Sequence, residues 1–345
     1  MQINDYLKEK KRTVTILLLL AGFMVLMACV SLFVGQYGLS LSETIQCLLG
    51  KRGEVEAQNI AQIIINIRLP RTVSAIVIGG MLAVSGLTYQ SVFRNNLCSQ
   101  DIIGVSTGAC VGAAMGIVLG FSAIYIQLTA FIIGVICIVA VFLLSSQIRL
   151  EKTLSLILSG ILVGGVMSSL LALIKYTANP ETHLKEIVYW TMGDISSISF
   201  KQLEIISIPT IVCVSILMMK SWQLNYFSFP DSEARSIGFN IKHNRFIFIA
   251  CATILVASAV SVSGNIGWIG LVIPQLVRLL VGSNSRYTAP LSFLMGSAFL
   301  LTVDMINRII STAELPVSII SGLLGLPIFV ICWFINAKKQ KGGLL

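Results

Sequence analysis

Arg68 and Arg71 stand three residues apart in IRLPRTV, directly ahead of the apolar run SAIVIGGMLAVSGLTYQ, and Asp304 and Arg308 stand four apart in LLTVDMINRII. An acid four residues before a base meets it on one helix face, in the order the helix dipole favours. Inside an apolar segment such a pair is either a proton relay or a neutralised pair that steers Arg308 at the end of its helix. The second reading is preferred, because charge is otherwise nearly absent from the apolar runs. The two leading arginines are odder. Pro70 suits a first helical position and pushes Leu69 toward an extended shape, so Arg68 is expected just before a helix and Arg71 in its first turn. Cations there face the positive end of the helix dipole, at a cost of a few tenths to about 1 kcal/mol each. Something acidic should offset them. Glu54, Glu56 or lipid phosphates are one source; an acidic patch on an external protein that docks and leaves is the preferred one.

Covalent chemistry finds little support. No G-x-x-x-x-G-K-[ST] occurs, so the chain does not hydrolyse ATP through a P-loop of its own. The two histidines, His183 and His243, lie far apart, and the eight cysteines contain no C-x-x-C. Neither a metal site nor a disulfide framework is legible, and buried thiols are the expected state.

The elements that must position these residues are membrane helices. The chain has 345 residues, of which 56% are apolar and 11% charged, and its mean hydropathy is +0.89. A water-soluble domain could carry such values only by exposing large apolar patches. Uncharged runs near 13–35, 72–90, 103–120, 123–145, 154–174, 203–222, 246–263, 266–281, 289–307 and 317–335 predict an all-α, polytopic membrane protein with about ten transmembrane helices. The net charge of +9 does not signal nucleic acid. With alternating spans and a cytoplasmic N-terminus, Lys and Arg fall roughly two to one on the inside, which is topology; both termini then lie in the cytoplasm.

No linker interrupts the chain, so residues 1–345 read as one transmembrane domain. The segment SLSETIQCLLG at 40–50 reads as a short helix on the outer surface. The stretch 228–245, SFPDSEARSIGFNIKHNR, is too polar for a bilayer and contains a helix-like piece from Asp231 to Ile237 stopped by Gly238. Gly104, Gly108, Gly112, Gly116 and Gly120 recur every fourth residue and form a smooth ridge for close helix packing. SGILVGGVMSS at 159–169 adds hydroxyls to small residues, which suits either packing or the lining of a wet pathway.

RLPR at 68–71, SG at 85–86 with Gln90 and RNNL at 94–97, GVSTGA at 104–109, YWTMG at 189–193, EARSIGFN at 233–240, GNIGWIGLVIPQLVRLLVG at 264–282 and AELPVSIISGLLGLPIF at 313–329 occur in order. In combination they resemble the FecCD family, the permease subunits of ABC importers for iron siderophores, haem and vitamin B12. The resemblance implies a ten-helix subunit of a bacterial cytoplasmic membrane, paired with a second permease protomer around a central pathway. Two separate ATPase subunits carrying ATP and Mg, and an extracytoplasmic substrate-binding protein, complete the machine. It casts Arg68, Arg71 and Arg308 as receivers of the binding protein, and Glu233, Ala234, Arg235 and Gly238 as the coupling helix that docks in the ATPase. Asn95, Leu97 and Thr153 match the inner gate, and Ser159, Gly160, Gly164 and Ser168, with Ser318, Ser321 and Gly322, would line the pathway. An iron-siderophore complex is the expected cargo, with haem or cobalamin as alternatives. Two positions depart from the family pattern: Asn96 stands where proline is usual and Gln275 where histidine is usual. The rival classes are a gradient-driven secondary transporter, disfavoured by the scarcity of buried ionisable residues, and a structural or signalling membrane protein.

Overall fold

The computed structural model describes residues 3–35, 62–310 and 315–342, with side chains from 11 onward except at 336 and 339–342. The segment read as a surface helix at 40–50 lies outside the described residues, as do Glu54 and Glu56. Every regular element described is helical: α1 (Ile3–Phe33), α2 (Leu69–Val92), α3 (Val105–Val118), α4 (Ala123–Gln147), α5 (Lys152–Thr177), α6 (His183–Thr191), α7 (Phe200–Met219), α8 (Asp231–Ser236), α9 (Ile241–Ser263), α10 (Ile269–Val281), α11 (Ser285–Ile310) and α12 (Val317–Gly342). Lipid offers no hydrogen bonds to the backbone, so an apolar chain that must cross it satisfies its own amides as helices.

Eight of these helices are long and apolar enough to span a membrane: α1, α2 with its preceding turn, α4, α5, α7, α9, α11 and α12. The predicted spans near 103–120 and 266–281 are the shorter apolar helices α3 and α10. At 1.5 Å per residue each reaches roughly 20 Å, short of a 30 Å hydrocarbon core.

Burial ranks the helices. The α2 window is 83% buried and that of α9 78%, against 6% for α1 and 17% for α5. The centre is therefore α2, packed by α9, α10 and α11, while α9 also touches α3, α4 and α7 and joins the two halves of the bundle. Glycine sets the closest crossings. A Cβ on Gly79 would fall 2.3 Å from the Gly296 carbonyl oxygen of α11, and one on Gly86 2.0 Å from that of Gly270 in α10. With no hydrophobic gain from burying one apolar helix against another in lipid, such close backbone contact supplies the packing.

The entry to α2 differs from the expectation. Leu69 is helical (φ −68°, ψ −48°), and the helix runs into it from residue 62 through a π turn, Ile64–Arg68, in which the Leu69 amide donates to the Ile64 carbonyl. The wider i→i−5 turn absorbs Pro70, which has no amide to donate. Arg68 and Arg71 thus lie inside a continuous helix and not at its dipole end.

Candidate functional site

Functional side chains gather at the two ends of the bundle. At one end, the last turn of α1 meets the start of α2 and the end of α11. Arg68 Nη1 donates to the carbonyls of Leu32 (2.8 Å) and Phe33 (3.2 Å), and Arg308 Nη1 to those of Ser31 (2.9 Å) and Val34 (3.4 Å). Two guanidinium groups therefore cap the carbonyls a helix leaves unpaired at its C-terminus, where its dipole favours cations. Asp304, fully buried, receives Arg71 Nε at 2.6 Å on one oxygen and Arg308 Nη2 on the other. Ser31 Oγ and Thr72 Oγ1 share a hydrogen bond of 2.6 Å beside them. The Asp304–Arg308 pair forms as its spacing predicts; the bond to Arg71, across 233 residues, had no signal in either motif. The docking role expected of the three arginines needs exposed guanidinium surface, and Arg68, Arg71 and Arg308 are only 5%, 4% and 8% exposed. Their guanidinium groups are engaged within the chain: Arg68 and Arg308 hold the end of α1, and Arg71 holds Asp304.

At the opposite end, α2 stops at a turn, Phe93–Leu97, in which Arg94 has φ 53°. Asn95 Oδ1 accepts the Leu97 amide at 2.9 Å, and Asn95 and Leu97 are exposed. The two departures from the family pattern meet here: Gln275 Nε2 donates to the Asn96 carbonyl at 2.8 Å, and Arg278 Nη1 donates to Asn96 Oδ1 at 3.1 Å and to Gln90 Oε1. Gln90 Nε2 in turn reaches the carbonyls of Gly270 (3.1 Å) and Leu271 (3.2 Å). The end of α2 and the length of α10 are thus tied together by amide and guanidinium groups.

Beside this turn lies the polar segment. A 3-10 stretch, Ser221–Ser228, leads to α8, and Gly238 at φ 82° ends the turn before α9, the left-handed stop expected of it. Ala234 is fully buried against the bundle, while Glu233, Arg235, Ser236 and Gly238 are exposed and Ile237 is 61% exposed. Phe227 fixes the segment from below by edge-on contacts with Phe239 and Phe248. Asp231, at the head of α8, is held by Arg94 Nη2 at 2.8 Å and Arg245 Nη2 at 3.3 Å.

The small residues of α3 and α5 divide differently from the expectation. A Cβ on Gly108, Gly112 or Gly116 would meet Cys137, Thr129 and Ala130, or Thr129 and Ile126 of α4. Gly104 is not part of that face: at φ 75° it precedes α3 and touches Gly164 of α5, while Gly160 faces the backbone of Ile102 and Ile103. Gly120, at φ 69°, follows α3 and has nothing near it. Gly160, with buried Thr153 and Ser159, therefore belongs to a packing contact, because its smallness admits a neighbouring backbone. Ser168 is exposed on the face of α5 that also shows Ile161, and Val166 and Leu173 are exposed on another side of the same helix. In α12, Ser318 and Ser321 donate to the carbonyls of Asn265 and Gly267, and Gly322 and Gly325 form a notch around Trp268, which has φ 72°.

Among the described residues no three His, Cys, Asp or Glu gather to hold a metal ion. The described cysteines are free.

Comparison with known proteins accounts for this arrangement. The chain is 36% identical over 322 residues to the molybdate import system permease protein MolB of Haemophilus influenzae, covering 93% of this chain and 95% of that one. It is 32% identical over 286 residues to the hemin transport system permease protein HmuU of Yersinia pestis, covering 81% and 85%. A solved structure of an ABC transporter described as of metal-chelate type, in an inward-facing conformation, superposes with a TM-score of 0.85 at 35% identity over 93% of this chain and 99% of its own. The profile of the FecCD transport family matches residues 23–335. The chain is a multi-pass permease subunit of an ABC importer, not an enzyme, and belongs to the FecCD transport family.

Proposed function

We propose that this permease pairs with a second protomer and passes a metal chelate, an iron-siderophore complex, that an extracytoplasmic protein delivers, while two ATPase subunits carrying ATP and Mg dock on α8 and the Gly238 turn. The observation that carries the reading is the presentation of that segment. Ala234 is buried, Glu233, Arg235 and Ile237 point outward, and the whole is braced by Asp231 and the Phe227 rings. A short exposed helix fixed rigidly to the bundle is what a partner needs in order to move the bundle.

In this reading the Arg94 end is cytoplasmic, which puts both termini inside, and α3 and α10 complete a ten-span topology with the irregular turns at their ends. The exposed face of α5 around Ser168, apolar with small hydroxylic residues, meets the second protomer and the pathway. The binding protein sits at the Arg68 end, against surface other than the three buried arginines. Cargo passes without strong sites, since it arrives already captured.

A hemin permease and a metal-chelate transporter among the similar proteins support an iron chelate; the likeness to MolB supports a second reading, the oxyanion molybdate. Reconstitution of the permease with its ATPase and binding protein separates them: ATP-dependent uptake of radiolabelled iron chelate is expected. Uptake of molybdate alone selects the second reading, and uptake that needs no ATPase sinks both.

A further inference from the structure

Arg94 holds a backbone conformation that side chains other than glycine, asparagine and aspartate seldom adopt, at φ 53°. Its side chain spans to the polar segment and donates three times: Nε to the Phe227 carbonyl, and Nη2 to the Phe229 carbonyl (2.5 Å) and to Asp231 Oδ1 (2.8 Å). Arg245 of α9, whose guanidinium lies 5.9 Å from the Phe227 ring centroid, holds the same carboxylate from the other side. Two residues after Arg94, Asn96 bonds Gln275 and Arg278 of α10. One turn therefore joins three bodies: the exposed helix α8, the central helix α2 and the short helix α10.

We infer that Arg94 is a positioning residue for coupling: it transmits displacement of the Phe227–Asp231 segment into α2, and Asn96 carries that displacement on to α10. A planar guanidinium with donors in a rigid fork can hold two carbonyls and a carboxylate at once, whereas a lysine offers one point of charge. Strain at a single residue persists where its surroundings fix it, and the three acceptors supply that fixation. The tight crossing of Gly86 with Gly270 makes α2 and α10 respond together. This inference rests on the proposed docking of the ATPase at α8.

The test uses the assembled complex in lipid vesicles with Arg94→Gly, which suits the left-handed backbone and deletes only the side chain. Arg245 still holds Asp231 in this variant, so the ATPase should still co-purify, while cargo moved per ATP hydrolysed falls about tenfold or more, the scale of one lost charge-assisted hydrogen bond. Arg94→Lys should lie between the two. Should Arg94→Gly not assemble, Asp231→Asn, which keeps a carbonyl acceptor but not the charge, is expected to lower the same ratio. An unchanged ratio in whichever of these variants assembles overturns the role, and so does a loss of transport that only follows a loss of assembly. Failure of the wild-type permease to retain the ATPase instead overturns the docking reading, and this inference with it.

Discussion

Asp304 shows how much one buried side chain can decide. It is the counter-charge to Arg71 and Arg308, which cap or brace the end of an α1 that is otherwise scarcely buried. Breaking a buried ion pair by removing one partner costs about 3–5 kcal/mol because the other charge stays behind. Asp304→Asn should therefore lower the thermal unfolding temperature in detergent and loosen α1, and raising the salt concentration should not mimic it, since buried pairs are screened little. A variant as stable as the wild type would show that the cluster is not the anchor. The sequence offered half of this site. The i,i+4 spacing of Asp304 and Arg308 is local and readable. Arg71 meets Asp304 only because α2 and α11 cross, and the carbonyls that Arg68 caps carry no side-chain signature at all. The reading of Pro70 as a helix start failed for a related reason: a π turn lets a helix pass through a proline, and nothing in IRLPRTV announces one.

At the scale of helices, glycine matters by what faces it rather than by its spacing. Gly86 lies against backbone, which cannot yield, while Gly165 has nothing within 4 Å. Overpacking costs typically 1–3 kcal/mol, so Gly86→Ala, whose Cβ would land 2.0 Å from the Gly270 oxygen, should destabilise at or above the top of that range. Gly165→Ala, inside a helix and with free space around it, should raise stability by up to about 1 kcal/mol. Unfolding curves of the two variants in the same detergent check both, and equal curves would refute the crossing. The four-residue repeat in α3 did reveal a packed face, but it assigned too much to that face. Gly104 and Gly120 keep the period while lying beyond the ends of α3 with positive φ, where glycine serves chain reversal. Hydrophobic runs located the elements well, because membrane thickness imposes their length; they could not show that α3 and α10 are shorter than a full span.

For the molecule as a whole, the proposed docking of the ATPase makes one exposed residue informative. Ile237 is apolar and 61% exposed at the tip of the polar segment. Ile237→Asp should leave the permease folded and reduce co-purified ATPase severalfold, since a charge would have to be buried unpaired in the partner's groove. Full retention of the ATPase by this variant would remove the segment from the interface. Family membership was legible from ordered motifs spread along the chain, whereas the contacts proposed to carry coupling were not, because several of them end on carbonyl oxygens that every residue possesses. Gln275 donates to the backbone carbonyl of Asn96, 179 positions away, a bond that does not depend on the side chain at residue 96.

Trp268, seated in the notch of Gly322 and Gly325 with its backbone at φ 72°, is one of four tryptophans in the chain. Indole emission shifts with the polarity of its surroundings, so this side chain is a native optical reporter at the joint of α10 and α12. With Trp190, Trp222 and Trp333 replaced by phenylalanine, its emission would show, without any attached dye, whether that joint stays closed or opens during a transport cycle.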